Sequence, residues 1–88
     1  MEHNELLIKK VIEEKFNQIV GGYENDLSDH GYKVPSSDEM KIEVYQEVMQ
    51  AKVVSTKFGL VSVKKDIRFA GTENIKLWID QRFQKEGY

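Results

Sequence analysis

The chain contains no cysteine. That single absence excludes disulfide scaffolds, zinc ribbons, thiol nucleophiles and cysteine-held iron–sulfur clusters together. Proline occurs once and glycine six times in 88 residues, too few for a fibrous repeat or a flexible linker. No apolar run exceeds the three residues Leu6-Leu7-Ile8, far short of the roughly 20 needed to cross a bilayer, so no membrane partner is expected. The first residues, Met1-Glu2-His3-Asn4-Glu5, are acidic and lack the basic segment that opens a signal peptide. These absences lead to the expectation of a soluble, cytoplasmic protein.

What is present fits one small globular domain over residues 1–88. Such a chain buries roughly 60–65% of the surface its unfolded form exposes, which permits folding with little margin. Four Phe, four Tyr and one Trp within 40% hydrophobic composition can anchor a core, against global disorder. The net charge of −2 implies no partner, but its distribution is uneven. Residues 1–50 carry five Lys/Arg against eleven Asp/Glu, whereas residues 51–88 carry eight against four. The positive excess is local: Lys52, Lys57, Lys64, Lys65 and Arg68 face only Asp66 between residues 51 and 70.

Hydrophobic periodicity supplies the elements. Leu7, Ile8, Val11, Ile12, Phe16, Ile19 and Val20 build one helix face, with Asn4 as expected N-cap and Gly21-Gly22 as expected stop. Tyr23 and Leu27 continue the stripe, so a helix running through the glycines to Gly31 is the competing reading. Residues 31–37 read as a loop around Pro35. Ser36 and Glu39 then form a capping box for a second helix bearing Met40, Val44, Tyr45, Val48 and Met49, ending near Gln50. From Lys52 to Ala70 the β-branched and aromatic residues predict two or three antiparallel strands, with Lys64-Lys65-Asp66 as a hairpin loop and Gly59 as a bend or bulge. An extension of the second helix to Phe58, capped by Gly59, is the alternative. Thr72 is the expected N-cap of a last helix carrying Ile75, Trp78, Ile79 and Phe83, ended by Gly87.

The fold class predicted is therefore α+β: three helices on a small antiparallel hairpin or three-stranded sheet, in the order α-α-β-β(-β)-α. The predicted core is Leu7, Val11, Phe16, Val20, Val44, Tyr45, Val48, Val61, Val63, Ile67, Phe69, Ile75, Trp78, Ile79 and Phe83, with Trp78 dominant.

Chemistry-bearing motifs are sparse. His30 with Asp26 at i, i+4 offers two ligands, which do not make a metal site, and His3 lies near the terminus. The serines sit in no nucleophile elbow, and Ser28 beside Asp29 and His30 has adjacency without a scaffold. Gly21-Gly22 is followed by no Gly-Lys-Ser/Thr, so no phosphate-cradling loop exists. No enzymatic activity, cofactor or metal is expected.

The residues expected to touch a partner are Lys52, Lys57, Lys64, Lys65 and Arg68, interleaved with Phe58 and Phe69. The function predicted is a regulatory protein–protein interaction module of inhibitor or adaptor type, similar in style to short phage or mobile-element proteins. A homodimer is expected through strand edges and the acidic–basic split. The alternative rests on layout: helices followed by a basic hairpin resemble a winged helix, which implies nucleic-acid contact by segment 52–68. The acidic balance, the carboxylates Asp38, Glu39, Glu43 and Glu47 on the second helix, and the missing third helix before the hairpin stand against it.

Overall fold

A computed structural model describes residues 2–24 and 35–88. Residues 31–34 of the expected loop, the competing helix continuation through Leu27 to Gly31, and the Asp26, Ser28, Asp29 and His30 constellation lie outside them. The elements are α1 (Glu2–Gly22), α2 (Ser37–Gln50), β1 (Val53–Thr56), β2 (Gly59–Ser62), α3 (Lys64–Ala70) and α4 (Thr72–Lys85). The class is α+β, with four helices and one two-stranded antiparallel hairpin among the described residues.

Helix α1 begins at Glu2, ahead of the Asn4 expected to cap it, and it runs through Gly21-Gly22 rather than stopping there. Each glycine costs a helix interior about 1 kcal/mol relative to alanine. Two anchors beyond or beside them offset that cost. Val20 is buried, and the Tyr23 hydroxyl donates to Glu43 Oε1 on α2 at 2.7 Å. The apolar stripe thus outweighs the local signal to stop.

Helix α2 starts as its sequence indicates. Ser36 is the N-cap, and its Oγ accepts from the Glu39 backbone N–H at 3.2 Å. Met40, Val44 and Val48, spaced by four, are buried. The backbone turns extended at Ala51, so the extension of α2 to Phe58 does not form.

The hairpin is shorter than expected, and its turn lies elsewhere. Val53 pairs with Ser62, Val54 with Val61, Ser55 with Leu60 and Thr56 with Gly59, leaving Lys57-Phe58 as the turn. The Phe58 N–H donates to Thr56 Oγ1 at 3.1 Å, and that hydroxyl donates to the Gly59 carbonyl at 2.9 Å. Gly59 takes φ +101°, a conformation strained for any residue with a Cβ.

The third strand is replaced by α3. Lys64-Lys65-Asp66, expected as a hairpin loop, form its first turn. Val63 and Ile67 are both buried and stand four apart, a helical spacing that the apparent alternation of Ile67 with Phe69 concealed. Phe69, expected in the core, points outward and is 78% exposed. Gly71 at φ +86° separates α3 from α4 and occupies the N-cap position. Thr72 is therefore the first residue of α4 rather than its cap, and the Asn74 side-chain amide donates to the Ala70 carbonyl at 2.8 Å.

The core gathers Ile8, Val11, Ile12, Phe16 and Val20 of α1 with Met40, Val44 and Val48 of α2. Val54, Val63, Ile67, Ile75, Ile79 and Phe83 complete it. Leu7, Tyr45 and Trp78 are only partly buried and pack on its rim, and Val61 is half-buried. Trp78 is thus not the dominant core residue. Phe83 is fully buried, meets Phe16 edge-to-face at 4.8 Å between centroids, and receives the Tyr88 ring at 5.6 Å.

The same seam carries the most organised ion pairs. Arg82 on α4 donates through Nε and Nη2 to Glu13 on α1 at 2.5 and 3.1 Å, and through Nη1 to Glu86 at 2.9 Å. Its guanidinium lies 4.0 Å from the Phe16 ring centroid. The hydrogen bond from Arg82 holds the Glu13 carboxyl below its ordinary 4.5.

Two outcomes follow. Phe83→Ala should cost about 3–5 kcal/mol in chemical denaturation, and Trp78→Ala clearly less; the reverse order would reject the core described above. The second concerns acid. A carboxyl whose folded pKa is depressed contributes stability above its ordinary value and loses it as pH falls through the folded value. Unfolding free energies measured from pH 6 to 2 should therefore decline less steeply below about 4.5 in Glu13→Gln than in the parent. Parallel curves would mean that the clamp contributes nothing.

Candidate interaction surface

Three of the five expected contact residues come together. Lys52, between α2 and β1, meets Lys64 and Arg68 of α3 around an open groove of about 600 Å³ floored by Met49, Ala51 and Ile67. Among the described residues no carboxylate lines this groove. Its position follows from the backbone. The Val63 N–H donates to the Lys52 carbonyl at 3.0 Å, so the chain entering the hairpin and the chain leaving it are held side by side. The cations flanking the hairpin in sequence are thereby brought to one place.

Lys57 and Lys65 are not part of the groove. Lys57 sits in the hairpin turn with its ammonium 5.2 Å from the centroid of Phe58. Lys65 is exposed on the first turn of α3. None of the five cations takes part in an ion pair among the described residues, where Lys9, Lys41 and Arg82 do. Lys64 and Arg68 stand at i, i+4 on a helix, where like charges cost about 0.2–0.5 kcal/mol.

Apolar side chains are exposed on the same stretch. Of the eight large hydrophobic residues exposed among the described residues, four fall between 53 and 69: Val53, Phe58, Leu60 and Phe69. Phe58 is 85% exposed and Leu60 72%. Strand alternation explains part of this. Val54 and its partner Val61 face inward, so Val53, Ser55, Leu60 and Ser62 share the outer face. Val53 and Leu60 were not foreseen as surface residues. Placing the turn at Lys57-Phe58 would have put them on that face.

A second depression, of about 340 Å³, lies between α2 and α4. Its two lysines are already engaged. Lys41 Nζ is 3.4 Å from Asp80, and Lys76 Nζ is 5.3 Å from the Tyr45 ring centroid. The acidic counterpart of the basic segment is spread over α1 and α2, with Asp38 and Glu39 in the first turn of α2.

Among the described residues no group of three His, Cys, Asp or Glu could hold a metal ion, and no helix is long and apolar enough to cross a membrane. Set against protein-family models, curated proteins and solved structures, the chain matches none of them.

Clustered unpaired cations carry a measurable signature. Lys64→Gln should raise stability by a few tenths of a kcal/mol at low ionic strength, by relieving repulsion from Arg68. The gain should vanish at 1 M salt, where the Debye length is about 3 Å. A stability loss at low salt would show Lys64 to be a structural residue.

Proposed function

We propose that the chain is a non-catalytic, intracellular protein-interaction module of regulatory type, inhibitor or adaptor, and that segment 52–69 forms its contact surface. The observation that carries this reading is the coincidence of five cations lacking an ion-pair partner among the described residues with Val53, Phe58, Leu60 and Phe69 exposed on one stretch. Exposed aromatic and aliphatic anchors among basic groups are what an acidic protein surface with an apolar centre requires. Burial of the anchors supplies affinity, and charge supplies rate and orientation.

Nucleic acid also pairs cations with exposed aromatic rings, through phosphate contacts and base stacking. The arrangement around the hairpin favours a protein. Helix α2 exposes Asp38, Glu39 and Glu47, and the chain is acidic overall, with a sequence pI near 5.7. In a winged-helix-like approach α2 would be the helix offered to the duplex, and its carboxylates would repel the phosphates.

The test is a capture from host lysate with and without nuclease, followed by titration of the purified captured protein. Phe58→Ala should weaken that complex about tenfold or more, as expected of an aromatic anchor. The double substitution Lys64→Gln/Lys65→Gln should mainly slow association and reduce its salt dependence. Loss of all binding after nuclease points instead to nucleic acid. In that case the double substitution should lower the slope of log K against log salt by up to about 1.8 for duplex DNA.

A further inference from the structure

The two edges of the hairpin are not equivalent. The Val63-to-Lys52 hydrogen bond fixes which pairs bond across the ladder. By alternation, Val54 with Val61 and Thr56 with Gly59 bond inward, while Val53, Ser55, Leu60 and Ser62 turn their backbone groups outward. On β1 one outward group is taken up by α1, since the Ser55 N–H donates to Glu14 Oε2 at 3.2 Å. On β2 the outward groups of Leu60 and Ser62 have no hydrogen-bond partner among the described residues, and Gly59, Leu60 and Ser62 are all exposed. Unpaired strand edges are templates for another strand, and proteins usually blunt them with charge or proline. Here β2 itself, Gly-Leu-Val-Ser, carries neither.

We propose that the β2 edge is a docking site for an extended segment of a partner protein, added as a third strand through Leu60 and Ser62. This rests on the interaction-module reading above and specifies its mode. Charge selects the occupant. The uncharged strand lies between Lys57 on one side and Lys64 and Lys65 on the other. The incoming strand therefore carries apolar or β-branched residues at its centre and Asp or Glu at both ends. A second copy of this chain fits the backbone, because Leu60 facing the other copy's Ser62 repeats by two-fold symmetry. It would bring Lys57 of each copy toward Lys64 and Lys65 of the other, so like charges would meet at both ends. The edge is suited to strand addition, and its flanks are suited to an acidic strand.

Amide hydrogen exchange on the intact chain tests this. The probe is a capped synthetic peptide of alternating valine and threonine with two acidic residues at each end, used at millimolar concentration. In the free protein the Leu60 and Ser62 amides should exchange about tenfold or more faster than those of Val54 and Val61. With peptide, Leu60 and Ser62 should slow by about tenfold or more, and a lysine-flanked version of the peptide should have no effect. Leu60→Pro removes an outward N–H without touching a ladder bond. It should weaken the peptide about fivefold, the worth of one hydrogen bond, while Val54 and Val61 stay protected.

Several results would overturn the proposal. One is the absence of peptide binding; another is binding that leaves Leu60 and Ser62 exchanging as before. A third is a dimer in sedimentation that Leu60→Pro dissolves, which would make a second copy the occupant. An oligonucleotide that protects the same two amides would likewise overturn it. A captured partner that responds to Phe58→Ala and the double lysine substitution, yet leaves these two amides unprotected, would sink the strand mode alone. The interaction reading would then stand.

Discussion

The structure depends on one apolar stripe. Ile8, Val11, Ile12, Phe16 and Val20 of α1 are all buried, and α2, α3, α4 and β1 each pack against that helix. A small chain has little surface to divide between cores, and here α1 is the wall that these four elements share. The constraint explains features that look local. The helix continues through Gly21-Gly22 because ending there would release Tyr23 from Glu43 and loosen Val20. The Arg82–Glu13 clamp sits where α4 crosses α1, beside the Phe16–Phe83 contact, so aromatic packing and charge pairing fix the same crossing.

A single-wall core also decides what stays outside. The hairpin reaches α1 through Val54 and the Ser55–Glu14 hydrogen bond, so it contributes one fully buried side chain and one capped backbone N–H. α3 contributes Val63 just before it and Ile67 within it. Apart from the half-buried Val61 and Ala70, the remaining apolar side chains of both elements have no wall to meet. In a small protein such positions would ordinarily be polar throughout, yet Phe58, Leu60 and Phe69 are not. Exposed apolar groups raise an aggregation hazard, and like charges at Lys64 and Arg68 cost stability. Neither feature helps the fold. That is the physical reason for reading the segment as a surface kept for binding.

The sequence was most legible where periodicity and local chemistry agree. The Ser36 cap and the Met40, Val44, Val48 stripe of α2 both lie in the chain as read, and the Ile75, Ile79, Phe83 face of α4 does too. It was least legible between residues 59 and 71. Ile67 and Phe69 stand two apart, which reads as strand alternation, whereas Val63 and Ile67 stand four apart, which reads as helix. Four or five apolar positions cannot separate the two periods. Tertiary packing against α1 decided it, burying Ile67 and releasing Phe69. The same misreading put the hairpin turn at Lys64-Lys65-Asp66 instead of Lys57-Phe58 and hid the outward face of Val53 and Leu60. Arg82 was equally hidden, because its partner Glu13 lies 69 residues away on another helix.

The candidate surface was half legible for a related reason. A surplus of positive charge is a property of composition, so Lys52, Lys57, Lys64, Lys65 and Arg68 could be picked out without a fold. Their arrangement could not, because it depends on the Val63–Lys52 hydrogen bond closing the hairpin. That bond brings Lys52 to Lys64 and Arg68 across the groove, and by fixing the ladder's alternation it also determines which backbone groups of β2 face outward. One hydrogen bond therefore sets both halves of the surface. Charge placement and open edge are coupled through it, and a change that shifted the register by one residue would disturb both at once: it would turn Leu60 inward, bury the wrong alternate side chains, and separate the cations. The constraint that makes the surface hard to read from sequence is the same one on which the proposed strand addition depends.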